Sequence, residues 1–296
     1  MKIKKTMGEK IFDAANIVFM AIVIVAILYP FLYIVSQSFN EGVDSAQGGI
    51  YFFPRNFTLT NYQAVFQNDN LLSGFAVSIL RTVIGTVTAV FFTAMVAFAL
   101  SHRQLRFRKA YMIYGTITMF ASAGLIPYYL VIFNLGLRNT FLMYIVPALF
   151  NFYNCILMIT FFRSIPEGLF EAAKIDGAGY WRIFLQIALP LSGAIIATMC
   201  LFIGVYHWND YFIGVLYIDD QELLPIQTVL YKIVAEAQGV TMLTNVNLPD
   251  VAAQRTLTSE SIKMAAMVVA TVPIVCIYPF LQKFFEKGVM IGSLKE

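Results

Sequence analysis

Charge is the scarcest commodity in this 296-residue chain: Asp, Glu, Lys and Arg together make up 12%. A soluble domain of this size carries about a quarter charged residues, so an ordinary water-soluble fold is excluded. Histidine is nearly absent, with His102 and His207 alone, and that supply cannot build a metal cluster. The three cysteines, Cys155, Cys200 and Cys276, each lie inside an apolar run, far apart and in no metal-ligand spacing. They read as small buried hydrophobes rather than disulfide partners. The sequence holds no G-x-x-x-x-G-K-[ST] segment, which excludes a P-loop nucleotide site. A formal net charge of +3, spread along the whole chain, gives no basic patch for nucleic acid, so no nucleic-acid partner is expected.

Apolar residues fill the space that charge leaves. The chain is 59% hydrophobic, with 27 Phe and 16 Tyr, and its mean hydropathy is +0.73. Six runs, at roughly 16–38, 73–100, 110–133, 141–162, 188–217 and 262–285, are each long enough to cross about 30 Å of hydrocarbon as a helix. They are continuous rather than alternating, which argues against a β-barrel. The expectation is an all-α, polytopic protein with six transmembrane helices in a lipid bilayer. The first run, from about Ile17 to Val35, exceeds the length of a signal-peptide core and lacks a small-residue cleavage site after it, so it reads as an uncleaved helix.

Basic residues set the expected orientation. With the N-terminus inside, inner segments hold Lys2, Lys4, Lys5, Lys10, Arg103, Arg106, Arg108, Lys109, Arg163, Lys174, Arg182, Lys283, Lys287 and Lys295. Outer segments hold Arg55, Arg138, Lys232, Arg255 and Lys263, and Arg81 falls within a helix. Both termini are therefore expected in the cytoplasm: a segment at 1–15, a membrane domain at 16–285 and a tail at 286–296. Two outer loops, 39–72 and 218–261, are long and polar, whereas 134–140 is short enough for a helical hairpin.

The inner loop 163–187 has a structure of its own. Ser164 followed by Glu167 has the spacing of a capping box, Pro166 suits a first turn, and Gly177 supplies a left-handed stop. A helix of about ten residues is the result, marginal alone in water and in need of a partner surface. Leu169, Phe170, Ala173 and Ile175 offer apolar contacts, while Ala172 and Ala173 allow close approach of another backbone.

The run Glu171-Ala172-Ala173, three residues, Gly177, nine residues, Ile187-Ala188-Leu189-Pro190 resembles the EAA loop of bacterial ABC importer permeases. Asp176, Ala178 and Phe184 are similar to the carbohydrate-uptake branch, of the maltose-transporter type. So are Phe57-Thr58-Leu59-Thr60-Asn61-Tyr62, Trp208-Asn209-Asp210 and the Phe285–Ser293 ending. Gly168 departs from the family, which often has an acidic residue there. The resemblance implies a type I ABC importer permease fold in a bacterial cell membrane, with coupling residues Glu167, Leu169, Phe170, Glu171, Ala172, Ala173, Asp176, Gly177 and Ala178. It implies partners too: a second related permease, two ATP-binding subunits carrying ATP and Mg, and an extracytoplasmic solute-binding protein that delivers an oligosaccharide. This chain itself is expected to bind no cofactor and to catalyse no reaction.

Sugars are held by aromatic faces and by amide, hydroxyl or carboxyl groups. Candidate contacts along the passage are Asn151, Tyr153 and Asn154 in the fourth run, and Trp208, Asn209, Asp210 and Tyr211 in the fifth. Counting residues from Pro190 places the second group near the outer interface, where an aromatic belt is the favoured reading and His207 an interfacial hydrogen-bonder. Asn151 and Asn154 also suit helix-to-helix bonding. Arg81 and Asp210 are ionisable groups at membrane depth. An ion-driven secondary transporter would need more intramembrane acids and repeated halves. A membrane enzyme would need a clustered acid–base or metal set.

Overall fold

The computed structural model describes residues 6–121, 123–244 and 259–293. Residues 245–258 of the expected second outer loop, with Arg255, lie outside them, as do Lys2, Lys4, Lys5 and Lys295. Among the described residues every regular element is helical, apart from one isolated bridge, Asn40 to Phe57. The chain divides into two compact units: Met1–Asn68 with Lys232–Thr271, and Asp69–Tyr231 with Val272–Glu296.

The first unit opens with α1 (Met7–Ser38), nine residues longer at its start than the apolar run. A capping box explains the extension: Thr6 Oγ1 accepts from Glu9 N, and Glu9 accepts in return from Thr6 N. Two short helices follow, α2 (Gly42–Ala46) and α3 (Thr60–Phe66), so the loop expected at 39–72 is structured. Asn40 organises it. Its carbonyl accepts from Arg55 N and Asn56 N, both at 2.8 Å, and its amide donates to Asp44 and Ser45, both at 2.9 Å. Asn61 donates to the carbonyls of Ser38 (2.9 Å) and Asn40 (2.8 Å), and the Tyr62 hydroxyl lies 2.7 Å from Ser38 Oγ. Phe39 packs between Phe57 and Tyr62. The Phe57–Tyr62 segment singled out in the sequence is thus a clasp that closes the end of α1.

The second unit is built on α4 (Asp69–Ser101), whose buried stripe is rich in small residues: Gly74, Ser78, Gly85, Thr86, Ala89, Thr93, Ala94 and Ala97. Small side chains let helix backbones approach where no hydrophobic force separates protein from lipid. After α5 (Arg108–Phe120), α6 (Leu125–Asn134) and α7 (Leu142–Ile145) comes α8 (Phe152–Phe162). Next are α9 (Glu167–Ile175), α10 (Tyr180–Ile183), a π-helical turn Phe184–Ala188, α11 (Leu189–Leu191) and α12 (Gly193–Asn209). The unit continues through α13 (Phe212–Tyr217) and a 3₁₀ turn Gln221–Leu223. Two last helices, α14 (Ile226–Thr244) and α15 (Ser259–Ser293), run through both units. Helix α4 packs chiefly on α12 and α8.

Several expected runs are divided. Among the described residues, α1 and α4 are the helices long and apolar enough to cross a membrane unaided, and two bent pairs, α5 with α6 and α10–α11 with α12, raise the number to four if each is one span. The run 141–162 is split between α7 and α8, with Pro147 inside the break and Asn151 capping the restart. The run 188–217 begins earlier, at Tyr180, bends by 82° around Ser192, and stops at Asn209. Pro190 supplies no N–H, and the turn before it widens to π geometry. Helix α15 extends at both ends beyond 262–285, reaching into the tail expected at 286–296.

Candidate functional site

Helix α9 ends as a Schellman motif. Gly177 N donates to Lys174 O at 3.0 Å, Ala178 N donates to Ala173 O at 2.9 Å, and Gly177 stands at φ +78°. A Cβ at Gly177 would meet nothing within 4 Å, so backbone conformation alone selects glycine here. The start differs from the expected capping box. Pro166 is the N-cap, with no side-chain bond, and Ser164 Oγ donates instead to Phe161 O at 2.7 Å. Proline at 166 fixes φ for the turn into the helix, which leaves Ser164 two residues ahead of the N-cap position.

The helix has two faces with different tasks. Ala173 is buried, and Phe170 and Ala178 pack on the same core. Ala173 is therefore spent on the protein's own interior rather than offered outward with Ala172. Phe170 meets Phe98 (6.0 Å between centroids) and His102 (6.2 Å), and Phe98 in turn meets Phe162 (5.8 Å) and Phe184 (5.4 Å). These rings tie α9 to the ends of α4 and α8 and to the π turn in one close-packed cluster. On the opposite face Leu169 is 45% exposed and Ile175 87%. Glu167, Glu171, Ala172, Asp176 and Gly177 are exposed too. Leu169, Ala172 and Ile175 form an apolar knob edged by Glu171.

The candidate passage residues do not form one group. Asn151 caps α8, accepting from Tyr153 N at 2.9 Å and Asn154 N at 3.4 Å, rather than bonding to another helix. Asn151 and Asn154 share a cavity of about 280 Å³ with Phe150, Phe202 and Tyr206, while Tyr153 does not line it. Asn209 donates to Val205 O of its own helix, and Tyr211 stacks on Tyr231 at 4.8 Å. Trp208 is 6% exposed and faces Phe75, so it turns inward rather than joining an aromatic belt, while Tyr206 and Tyr211 remain exposed. His207 is buried against Gly85, and neither ring nitrogen has a hydrogen-bond partner among the described residues, so it is no interfacial hydrogen-bonder. Trp208 and His207 both lie on the last turn of α12 and face α4, which a count along one helix does not show.

Asp210 and Arg81 meet. The Arg81 guanidinium, fully buried, donates to the Asp210 carboxylate and to its backbone carbonyl (3.0 Å), and lies 4.4 Å from the centre of the Tyr144 ring. Asp210 Oδ1 also accepts from Phe212 N (3.2 Å) and Ile213 N (3.4 Å), capping α13. Breaking such a buried pair from one side costs roughly 3–5 kcal/mol. Nearby, Ile226 N donates to Ser78 Oγ at 2.8 Å, and Tyr144 donates to Leu223 O at 2.9 Å. Asn139 accepts from Asp219 N and Asp220 N, and Arg138 pairs with Asp219 at 2.5 Å. The sequence singles out none of Ser78, Asn139 and Tyr144, and Arg138 only as an outer basic residue; the short 134–140 connection is the one signal near them.

Among the described residues no group of His, Cys, Asp or Glu could hold a metal ion. The family model for binding-protein-dependent transport system inner membrane components matches residues 90–291. Protein LplC of Bacillus subtilis (strain 168) is 40% identical over 98% of this chain and 97% of its own length. The polygalacturonan/rhamnogalacturonan transport system permease protein YtcP of the same strain is 35% identical over 98% and 100%. A chain from the crystal structure of a bacterial ABC transporter that imports the acidic polysaccharide alginate superposes with a TM-score of 0.87 at 28% identity, covering 96% of this chain and 100% of that one. With a family model matching two thirds of its length and relatives aligned end to end, this chain belongs to the binding-protein-dependent transport system inner membrane components, the permease family that its 171–190 loop resembles.

Proposed function

We propose that this chain is one permease of an ATP-driven oligosaccharide importer, and that α9 is the helix through which a separate ATPase moves it. The observation that carries the reading is the two-faced α9: an unpartnered knob of Leu169, Ala172 and Ile175 outside, and Phe170 and Ala173 locked into the aromatic cluster inside. A helix this short is held by packing, so a displacement of its outer face travels as a rigid shift into α4 and α8. We read six crossings, α1, α4, α5–α6, α7–α8, α10–α12 and α15, with α9 and both termini on the cytoplasmic side; the basic-residue bias supports this reading. A second related permease, two ATPases that hold ATP and Mg, and a solute-binding protein complete the assembly.

Replacing Glu171 with Lys, or Gly177 with Val, tests the coupling role. Each variant should insert normally while the binding protein no longer stimulates ATP hydrolysis in the reconstituted complex. Undiminished stimulation in both would end this reading of α9.

Among the similar proteins, YtcP is named for polygalacturonan and rhamnogalacturonan and the solved transporter for alginate, while relatives of lower identity are named for melibiose, raffinose and stachyose or for arabinooligosaccharides. We propose an acidic oligosaccharide, passing the cavity of Asn151, Asn154 and Tyr206. Amide and phenol groups suit sugar hydroxyls. Calorimetry of the binding protein with trigalacturonate, an alginate trisaccharide and raffinose tests it. Preference for raffinose would reverse the assignment.

A further inference from the structure

Around the Arg81–Asp210 pair the interface of α4 and α12 is poorly satisfied. Arg81 Nε, Thr82 Oγ1, Thr86 Oγ1 and both nitrogens of His207 are buried without a hydrogen-bond partner among the described residues. All belong to the same two helices, within two turns of the pair, and a cavity of about 330 Å³ opens beside them past Thr82, Thr86, Gly204 and Trp208. Buried polar groups almost always find partners, so a cluster of orphans in one interface marks an arrangement held against their preference. What holds it is visible. One guanidinium reaches the carboxylate and carbonyl of Asp210 and covers Tyr144, binding α4, the α12–α13 junction and α7 together.

We propose that Arg81 and Asp210 are positioning residues that latch this end of the passage shut, and that the orphaned Thr82, Thr86 and His207 favour its parting. Twenty residues of helix separate Arg81 from Ser101, about 30 Å, so the latch lies across the membrane from α9. The idea rests on the importer reading above. When the latch parts, water or facing hydroxyls satisfy the orphans. When it closes, the ion pair compensates for their loss. Latch strength then sets how tightly ATP hydrolysis waits for the loaded binding protein.

The test uses the complete complex in proteoliposomes with Mg-ATP and no binding protein. Asp210→Asn keeps the shape but weakens the pair, and should raise basal hydrolysis several-fold. Arg81→Asp with Asp210→Arg should bring it back toward wild type. Unchanged basal hydrolysis in an assembled Asp210→Asn complex would overturn the latch, as would a double variant no quieter than the single one. Should Asp210→Asn fail to assemble, Arg81→Lys decides, since it keeps the charge but loses the fork that reaches both the carboxylate and the carbonyl of Asp210. Basal hydrolysis should rise again, and an assembled Arg81→Lys complex as quiet as wild type would refute the proposal. If the wild-type complex itself shows no stimulation by the binding protein, the importer reading fails instead, and the two failures are thereby told apart.

Discussion

At the scale of single residues, Gly177 illustrates a position chosen by backbone rather than by space. The left-handed conformation costs an L-residue about 1–2 kcal/mol, and an added Cβ there touches nothing. Gly177→Ala should therefore lower the thermal midpoint by only a few degrees, read by scanning calorimetry, and weaken α9 rather than the bundle. Gly85 is the opposite case. A Cβ there would meet His207 Nε2 at 2.4 Å, inside a packed interface, while one on Gly204 would come no nearer than 3.5 Å to Thr86 Oγ1. Gly85→Ala should cost about 1–3 kcal/mol, and Gly204→Ala close to nothing, in parallel thermal unfolding of detergent-solubilised protein. Gly177 could be identified from its place after an amphipathic helix. Gly85 could not, because its constraint comes from a histidine 122 positions away.

Among the elements, the clasp at the end of α1 shows how polar side chains replace a core. Asn61 satisfies two carbonyls with one amide, so Asn61→Ala leaves both without their donor and should cost about 1–3 kcal/mol locally. Hydrogen exchange over 39–68 should quicken while that of α4 stays unchanged. Burial, offset in part by the Ser38 hydrogen bond, raises the Tyr62 pKa above its ordinary 10.0. A phenol held neutral supports the fold below its unfolded value and loses that support as pH climbs through the raised one, so the clasp should loosen only above about pH 10. The helix α9 was readable from its cap signals and glycine, although the cap itself moved from Ser164 to Pro166. The breaks at 146–151 and at Ser192 were hidden, since an apolar run looks the same whether its helix is straight or bent.

For the whole molecule, the arrangement links a knob on α9 to a buried aromatic cluster, and that cluster to long helices whose far ends are held by an ion pair. A permease organised in this way should couple one end to the other only while both fastenings are intact. Removing aromatic bulk in the middle, as in Phe98→Ala, should cost about 3–5 kcal/mol and weaken binding-protein stimulation even with α9 and Arg81 untouched. The comparison of ATPase stimulation with ATPase binding separates lost transmission from lost docking.

Composition alone determined that this protein lives in a bilayer, because solvation energies act on each residue wherever it lies. The spacing around Glu171, Gly177 and Pro190 likewise announced a short interfacial helix, since caps and stops are local. Tertiary structure decided the rest: that Ala173 faces inward, that Trp208 and His207 are buried, and that Arg81 finds Asp210. Those outcomes depend on contacts between distant segments, and periodicity along one chain holds no record of which face meets which neighbour.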